Sequence, residues 1–505
     1  DLKEAPLGTE RTYTNPLYHG YLADPFVLKY NGEYYAYGTV PIGRCAIPVL
    51  HSTDLIEWRR VGNALEPFAR EFDCFWAPEV AYDNGTFFMY YSAGGREGEG
   101  HQIRVATAEH PTGPFRDEET ILVPDDPFSI DAHPFRDEDG QWYLFYCHDF
   151  LEGERPGTGI VVDRLLDMRS LAGERRVVVR AHADWNLFQR QRHWYNHVWD
   201  WYTIEGAFVT KHADRYYCFY SGGAWKEPNY GIGCVVADHP AGPYRIESSR
   251  SFPEVLRTVP GRVVGPGHCT VALAPDNLHP YLIYHAWDVR HTARLMRMDA
   301  LVWTAAGPVG KGPTTSPQPA PPLPFFRDLF GEPALDEHAW RVQGGAWRTE
   351  GSQAIQEDHE AQQAALLFTG MPPKTAYLLE VNLRRLGTGA ASETHGIYVC
   401  YEDPNNFVEL SLANEPPELI WRCVVHGDEV ERRVLGLPAQ RSRFQPRSYH
   451  QLLARRQGGQ ASVWVDRVLA GENLPVLATV NNVGLFTRNA SAAFAGVSLT
   501  LLDPD

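Results

Sequence analysis

The chain has 505 residues, enough for more than one domain, and its 44% hydrophobic content suits ordinary globular cores. A net charge of −17, from 46 basic against 63 acidic side chains, argues against nucleic acid or an anionic membrane as partner, since both select basic patches. No apolar run approaches the roughly 18 residues of a membrane span, and no signal peptide follows Asp1, so secreted and cytoplasmic locations both stay open.

The first predicted elements are a short apolar strand, a polar turn and an aromatic strand, PFVLKYNGEYYAYG from Pro25. The unit returns as APEVAYDNGTFFMYYS from Ala77, HPFRDEDGQWYLFYC from His133, GAFVTKHADRYYCFYS from Gly206 and TVALAPDNLHPYLIYH from Thr270. A further strand and an outer turn follow, as in IRVATAEHPTGPFRD from Ile103 and IGCVVADHPAGPYRIE from Ile232. AEHPTGPF and ADHPAGPY are near duplicates, and their Pro-Xaa-Gly-Pro stretches suit tight turns at a sheet edge. Four strands per unit, spaced roughly 50–75 residues apart, match a β-propeller blade, and five units predict a five-bladed propeller. The strands are apolar on both faces, as blades packed face to face require.

The propeller is expected to end near Pro324, which divides the chain into 1–324 and 325–505. Six prolines between Pro313 and Pro324 make an extended, semi-rigid connection. Beyond it the repeat stops. Short strands such as AYLLEVNLRRL, HGIYVCYE, FVELSLAN and ELIWRCVV, without strong helical signal, predict a β-sandwich. The eight cysteines form no CxxC pair, so no zinc site is expected, and Cys147, Cys218 and Cys269 read as buried free thiols.

Just ahead of four copies stand Asp24, Asp131, Glu205 and His268. Singly, each acid is ordinary: an Asp beside a strand start commonly caps a turn. Glu205, between Ile204 and Gly206 at the entry to an apolar strand, is costly to bury without a role or partner. Together the acids occupy the same place in three blades, eight or nine residues before the turns at Gly32, Gly140 and Asp214. Equivalent places in a propeller surround the central channel, and acids gathered there suit hydrolysis of a glycosidic bond.

In combination, ADPFV, FWAPEVAYDNGTFFMYYS, SIDAHPFRDEDGQWYLFY, IEGAFV and GPGHCTV, spread over residues 15–324, resemble glycoside hydrolase family 43, whose fold is a five-bladed propeller. The resemblance implies an inverting hydrolase. Asp24 would be the general base that activates water, Glu205 the general acid, and Asp131 the group that orients Glu205 and raises its pKa. Inversion needs one ionised and one protonated carboxyl with room for water between them, and a further carboxylate favours the protonated form of its neighbour. The resemblance also implies a sugar-stacking Trp76, and His268 facing the cavity beside a hydrated calcium or sodium ion; no organic cofactor is expected. Glu79 stands where many relatives carry Asp.

His148, Ser221 and His285 end aromatic strands and are expected to line the pocket. The run HWYNHVWDWY, from His193 to Tyr202, is expected to form its wall. The long connection from Asp184 to Tyr202 would close a pocket, which favours exo action on a terminal sugar. The implied activity is an α-L-arabinofuranosidase acting on plant polysaccharide or oligosaccharides. A β-D-xylosidase, a β-galactofuranosidase or an exo-galactanase stays open, and a non-catalytic carbohydrate-binding propeller is the rival from another class. A phosphorylase would want basic residues near the axis, and the core motifs carry none. Residues 325–505 resemble the concanavalin-like sandwiches appended to exo-acting members. They are expected to pack on the propeller and shape the pocket rim, with sugar binding through Trp340, Trp347 or Trp421, or oligomerisation, as the other readings. The sequence does not set the oligomeric state.

Overall fold

Five groups of antiparallel strands follow one another around an axis in a computed structural model that describes residues 11–66, 72–247, 251–387, 392–413, 415–438, 443–477 and 482–503; the third and fourth groups join into one sheet where Gly157 and Thr158 run parallel to Tyr202 and Thr203. The five groups are the blades of a propeller. Blade 1 is Ala23–Tyr30, Glu33–Thr39, Pro48–Ser52 and Arg59–Asn63; blade 2 is Cys74–Asp83, Thr86–Gly94, Gln102–Ala108 and Arg116–Ile121. Blade 3 is Ser129–Arg136, Trp142–Phe150, Gly157–Asp167 and Arg176–Val179. Blade 4 is His197–His212, Arg215–Gly222 and Gly231–Ala237, its outer edge supplied by the bridge between Val236 and Arg245. Blade 5 is Val264–Leu273, Pro280–Trp287, Arg294–Thr304 and Gly307–Gly310. Aromatic second strands fill the spaces between blades: Tyr34, Tyr37, Tyr90, Tyr91, Tyr146, Tyr220 and Tyr284 are all fully buried.

Each innermost strand breaks register against its neighbour, between Ala23 and Phe26, Trp76 and Glu79, Ile130 and His133, Glu205 and Phe208, and Gly267 and Thr270, with a second break in blade 5 between Val264 and Gly267. A β-bulge of this kind bends a strand and re-aims its side chains. The first residue of each bulge is left-handed: Asp24 (φ 49°), Ala77 (43°), Asp131 (56°), Gly206 (63°) and His268 (51°). This conformation costs a non-glycine residue roughly 1–3 kcal/mol. The five-fold bulge corrects one expectation. Asp24, Asp131 and His268 are in register, but Glu205 lies one residue earlier, at the position of Trp76, and Gly206 takes the bulge.

The bulges are held from the neighbouring blade. The N–H of Ala77 donates to Thr39 Oγ1 (2.9 Å), that of His268 to Ser221 Oγ (2.7 Å) and that of Gly206 to Asp131 Oδ2 (3.0 Å). The N–H of Asp24 donates to His285 Nδ1 (3.0 Å), which ties blade 5 to blade 1.

Residues from Phe326 to Leu501 form an eight-stranded and a seven-stranded sheet packed face to face. Strand Ala376–Arg385 explains the arrangement. Tyr377, Leu379, Val381 and Leu383 enter the sandwich core, while the alternate Glu380 and Asn382 are equally buried. The face that carries Glu380 packs on the propeller. Thus Lys29 pairs with Glu380 (2.9 Å), Tyr82 Oη donates to the Tyr449 carbonyl (2.7 Å) and Arg136 to the Pro438 carbonyl (3.0 Å). The Leu469 N–H donates to the Glu138 carbonyl (3.1 Å), and Thr500 Oγ1 to that of Asp276 (2.8 Å). These contacts fall at or beside the turns that end the innermost strands of blades 1, 2, 3 and 5. The turns lie at the opposite end of the propeller from the bulges.

The sandwich therefore packs on the propeller, as expected, but not at the rim of any pocket formed by the acids. Trp421 (0% exposed) and Trp340 (4%) belong to the sandwich core, so neither is a sugar platform; Trp347 is half-buried. All eight cysteines are free thiols. No helix among the described residues is long and apolar enough to cross a membrane.

Candidate active site

The bulges bring Asp24, Asp131, Glu205 and His268 to one mouth of the channel. His268 Nδ1 is 3.4 Å from Asp24 Oδ1 and 3.9 Å from Asp131 Oδ2, so side chains of three blades meet around one imidazole nitrogen. Asp24 is buried and crowded on one oxygen. Its Oδ1 is 3.3 Å from Arg294 Nη1 and 3.3 Å from His285 Nδ1, while Oδ2 has no partner among the described residues. Arg294 is itself fixed by Tyr21 Oη (3.1 Å) and by stacking on Trp225 (4.3 Å). Burial works to raise the Asp24 carboxyl, but the Arg294 guanidinium and His268 hold it well below the usual carboxylate range.

Glu205 meets the opposite fate. Burial raises it, a hydrogen bond from Tyr230 Oη to Oε1 (2.8 Å) lowers it, and the nearby Asp24 charge raises it again, which leaves it at about 7. Asp131 is pushed well above the usual range, by burial first and then by the charges of Glu205 and Asp24. Asp131 and Glu205 therefore titrate as a pair. Asp131 grips the backbone immediately after Glu205, through the Gly206 N–H. In all three acids one oxygen is held by the protein and the other has no partner among the described residues.

An aromatic wall stands beside the acids. The innermost strand of blade 4 runs on beyond the sheet as a hairpin, Leu187–Trp194 against the start of His197–His212, with Tyr195 and Asn196 at its turn. Trp194 Nε1 and Tyr195 Oη both donate to Asp149 Oδ2 (3.1 and 2.7 Å), which pins the hairpin to blade 3. Trp76 is stacked on His101 at 3.6 Å between ring centres. A methyl built on Gly98 would meet the rings of Phe128 (3.4 Å), Trp194 (3.8 Å) and Trp76 (3.9 Å), so these rings gather around one point. Part of the predicted wall is interior instead: Trp201 is fully buried.

Two expected pocket residues have other tasks. Ser221 and His285 are fully buried and accept the N–H groups of His268 and Asp24 across the blade junctions. They support the site rather than line it. Burial drives His285 down to about 4, so it is neutral. His148 is half-buried, and its neighbours are Asp126 (3.3 Å) and the Phe150 ring rather than the acids. Glu79 is buried and takes His133 Nδ1 at 2.6 Å; His133 Nε2 accepts the Val209 N–H (3.0 Å), so one pair joins blades 2, 3 and 4. Among the described residues, no group of three or more His, Cys, Asp or Glu could hold a metal ion. Calcium and sodium prefer shells of oxygen ligands, and His268 offers nitrogen, so it does not suit direct ligation of either ion and would meet one only through water.

Sequence reasoning missed Arg294 and Tyr230. Arg294 lies 270 residues from Asp24 and Tyr230 lies in the loop after the second strand of blade 4. The one signal available was an arginine at the start of the apolar strand RLMRMDALVWT, where a charge needs a partner.

Known proteins resemble the chain over this region. The model for glycosyl hydrolases family 43 matches residues 13–309. The β-D-galactofuranosidase xynD of Aspergillus niger is 26% identical over 324 residues, which cover 58% of this chain and 83% of that protein. An extracellular exo-α-(1→5)-L-arabinofuranosidase of Streptomyces avermitilis is 24% identical over 331 residues, 60% of this chain and 64% of that one. A xylan 1,3-β-xylosidase of a Vibrio species is 25% identical over 251 residues, 46% of this chain and 42% of that one. The chain thus spans less than two-thirds of the last two. Among solved structures, a thermostable family-43 glycoside hydrolase is similar with a TM-score of 0.53 and 32% identity, over 62% of this chain and 99% of that one.

Proposed function

The chain belongs to glycosyl hydrolases family 43, and from that premise we propose that it is an inverting, exo-acting furanosidase that removes terminal α-L-arabinofuranosyl residues from plant polysaccharide or oligosaccharides. One arrangement carries the reading: around a single mouth, Asp24 faces Arg294 and His268, which hold its carboxyl well below the usual range, while Glu205 accepts the neutral Tyr230 hydroxyl and burial raises its carboxyl to about 7. That is the pair of states an inverting hydrolase needs. Asp24, through the oxygen that Arg294 leaves open, takes a proton from water as the water attacks the anomeric carbon. Glu205 gives its proton to the leaving oxygen from the other side of the sugar. Asp131 positions Glu205 through the Gly206 N–H, and its own carboxyl, raised by burial and by Glu205, titrates together with it. Trp76, backed on one face by His101, stacks on the sugar. The hairpin of Leu187–Trp194, pinned by Asp149, closes one side of the site and favours a chain end over a chain interior. Residues 1–324 carry the chemistry in this reading, and 325–505 support them.

Furanosides are favoured because two of the relatives are named for furanosides. The galactofuranosidase supports a second reading. The ring of a β-D-galactofuranoside has the configuration of an α-L-arabinofuranoside and differs in the longer exocyclic group, so one pocket core can serve either.

A panel of aryl α-L-arabinofuranoside, β-D-galactofuranoside, β-D-xyloside and β-D-galactoside tests the assignment, with proton NMR of the first-formed anomer. The expected result is hydrolysis of the arabinofuranoside with inversion. Faster cleavage of the galactofuranoside selects the second reading, and hydrolysis of the xyloside alone makes the protein a xylosidase. Retention of configuration sinks the mechanism. Tight sugar binding by calorimetry without turnover of any glycoside makes it a binding protein.

A further inference from the structure

The hydroxyl of Tyr230 donates to Glu205 Oε1 at 2.8 Å, and this is its one hydrogen bond among the described residues. The residue is buried (1% exposed), at the end of the loop between Arg215–Gly222 and Gly231–Ala237. Its ring lies parallel to that of His285, at 5.9 Å and 12°. Room for it is made by blade 5. A Cβ on Gly267 would sit 2.0 Å from Tyr230 Cε1, and one on Gly265 would sit 3.6 Å from its Cβ. The glycines before His268 therefore admit a phenol that reaches across the blade junction to Glu205.

We propose that Tyr230 is a positioning residue of the general acid, which occupies Glu205 Oε1 so that the proton resides on Oε2 and which then holds the carboxylate that remains. The proposal rests on the reading of Glu205 as that acid. A protonated carboxyl has one oxygen that bears hydrogen and one that accepts. A donor fixed at Oε1 makes it the accepting oxygen, so the proton sits on Oε2, which has no partner among the described residues. During cleavage the Oε2–H bond breaks as a new O–H bond forms on the leaving oxygen. That oxygen keeps the electron pair of the broken glycosidic bond, while the oxygen of water bonds to the anomeric carbon and its proton passes to Asp24. The Tyr230 bond then changes from a neutral to a charge-assisted one, which is roughly twice as strong. It strengthens as the reaction proceeds, which is the condition for accelerating it. Before the reaction it also offsets part of the effect of burial on Glu205.

The test is Tyr230→Phe, which keeps the ring and removes the hydroxyl. Values of kcat and KM are measured for aryl furanosides of graded leaving-group acidity, across pH. The expected result is a loss in kcat of roughly tenfold or more for poor leaving groups, the effect of one lost charge-assisted hydrogen bond. Little loss is expected for a dinitrophenyl glycoside, whose oxygen needs no proton. The alkaline limb of the profile should move to higher pH, since the hydrogen bond favours the ionised acid. An equal loss for all leaving groups with an unmoved limb overturns the proposal in favour of a packing role. A rise confined to KM overturns it in favour of a sugar contact. Glu205→Gln is run in parallel. If Glu205→Gln depends on the leaving group and Tyr230→Phe does not, Tyr230 alone is excluded. If Glu205→Gln shows no such dependence, the assignment of the acid falls, and this proposal with it.

Discussion

The propeller buries carboxylates at both ends, and the two ends treat them in opposite ways. At the sandwich end, Glu380 is 1% exposed and both its oxygens are satisfied. Oε2 receives Lys29 (2.9 Å), Asn277 (2.6 Å) and Ser498 (3.4 Å), and Oε1 receives Gln451 (2.9 Å) and Asn382 (3.3 Å). Burial would raise this carboxyl, but the Lys29 charge and these hydrogen bonds bring it to about 2. At the other mouth, Asp24, Asp131 and Glu205 each have one held oxygen and one without a partner among the described residues, and Glu205 is raised to about 7. Burial of an acid thus has no fixed outcome. A complete set of donors makes it a structural anion, and an incomplete set leaves it able to exchange a proton.

The largest way to break this comparison is to neutralise each kind of acid. Asp24→Asn and Glu205→Gln should lower kcat/KM by about 10²–10⁴-fold, the range for a general acid or base. Asp24→Asn removes the anion that faces the buried Arg294 and should lower the thermal midpoint, whereas Glu205→Gln replaces a carboxyl that burial already keeps neutral and should leave it level or raise it. A variant that unfolds without losing activity per folded molecule would erase the distinction. Next, Lys29→Met leaves Glu380 buried without its cation and should cost about 3–5 kcal/mol in denaturant unfolding. The surviving folded enzyme should keep its kcat, because the change lies at the far end of the channel.

The smallest effects are those of pH. Activity needs Glu205 protonated, so it should fall as pH rises through about 7; it needs Asp24 ionised, so on the acid side it should persist to below the usual carboxylate range. Glu380 has a folded value below its ordinary one. Its stabilising contribution is complete above about pH 4.5 and is lost as pH falls towards about 2. Unfolding midpoints measured on both sides of that window check the sign.

Much of the fold was legible because its signals are local. The turns at Gly32, Gly85 and Gly140 are Asn-Gly or Asp-Gly pairs with left-handed glycines (φ 80°, 95° and 89°), each beside an aromatic strand. The bulges were not legible. A one-residue displacement leaves no mark in spacing, so Glu205 read as a register partner of Asp24 although it aligns with Trp76. The strand around Glu380 showed the alternation of a half-buried sheet, but a polar face looks the same under water as under another domain. Ser221 and His285 looked like pocket residues because polar groups at strand ends commonly are. That they face a neighbouring blade's N–H groups depends on closure of the ring, which no single blade encodes.

The sandwich grips the propeller at the turns remote from the acids, partly through backbone carbonyls such as those of Tyr449 and Pro438. That gives the molecule a working end and a handle. A tether, tag or solid support attached to the outer sheet of the handle would leave the mouth facing outward. Loops around the mouth, the hairpin from Leu187 among them, could likewise be exchanged between enzymes of this kind without renegotiating the grip.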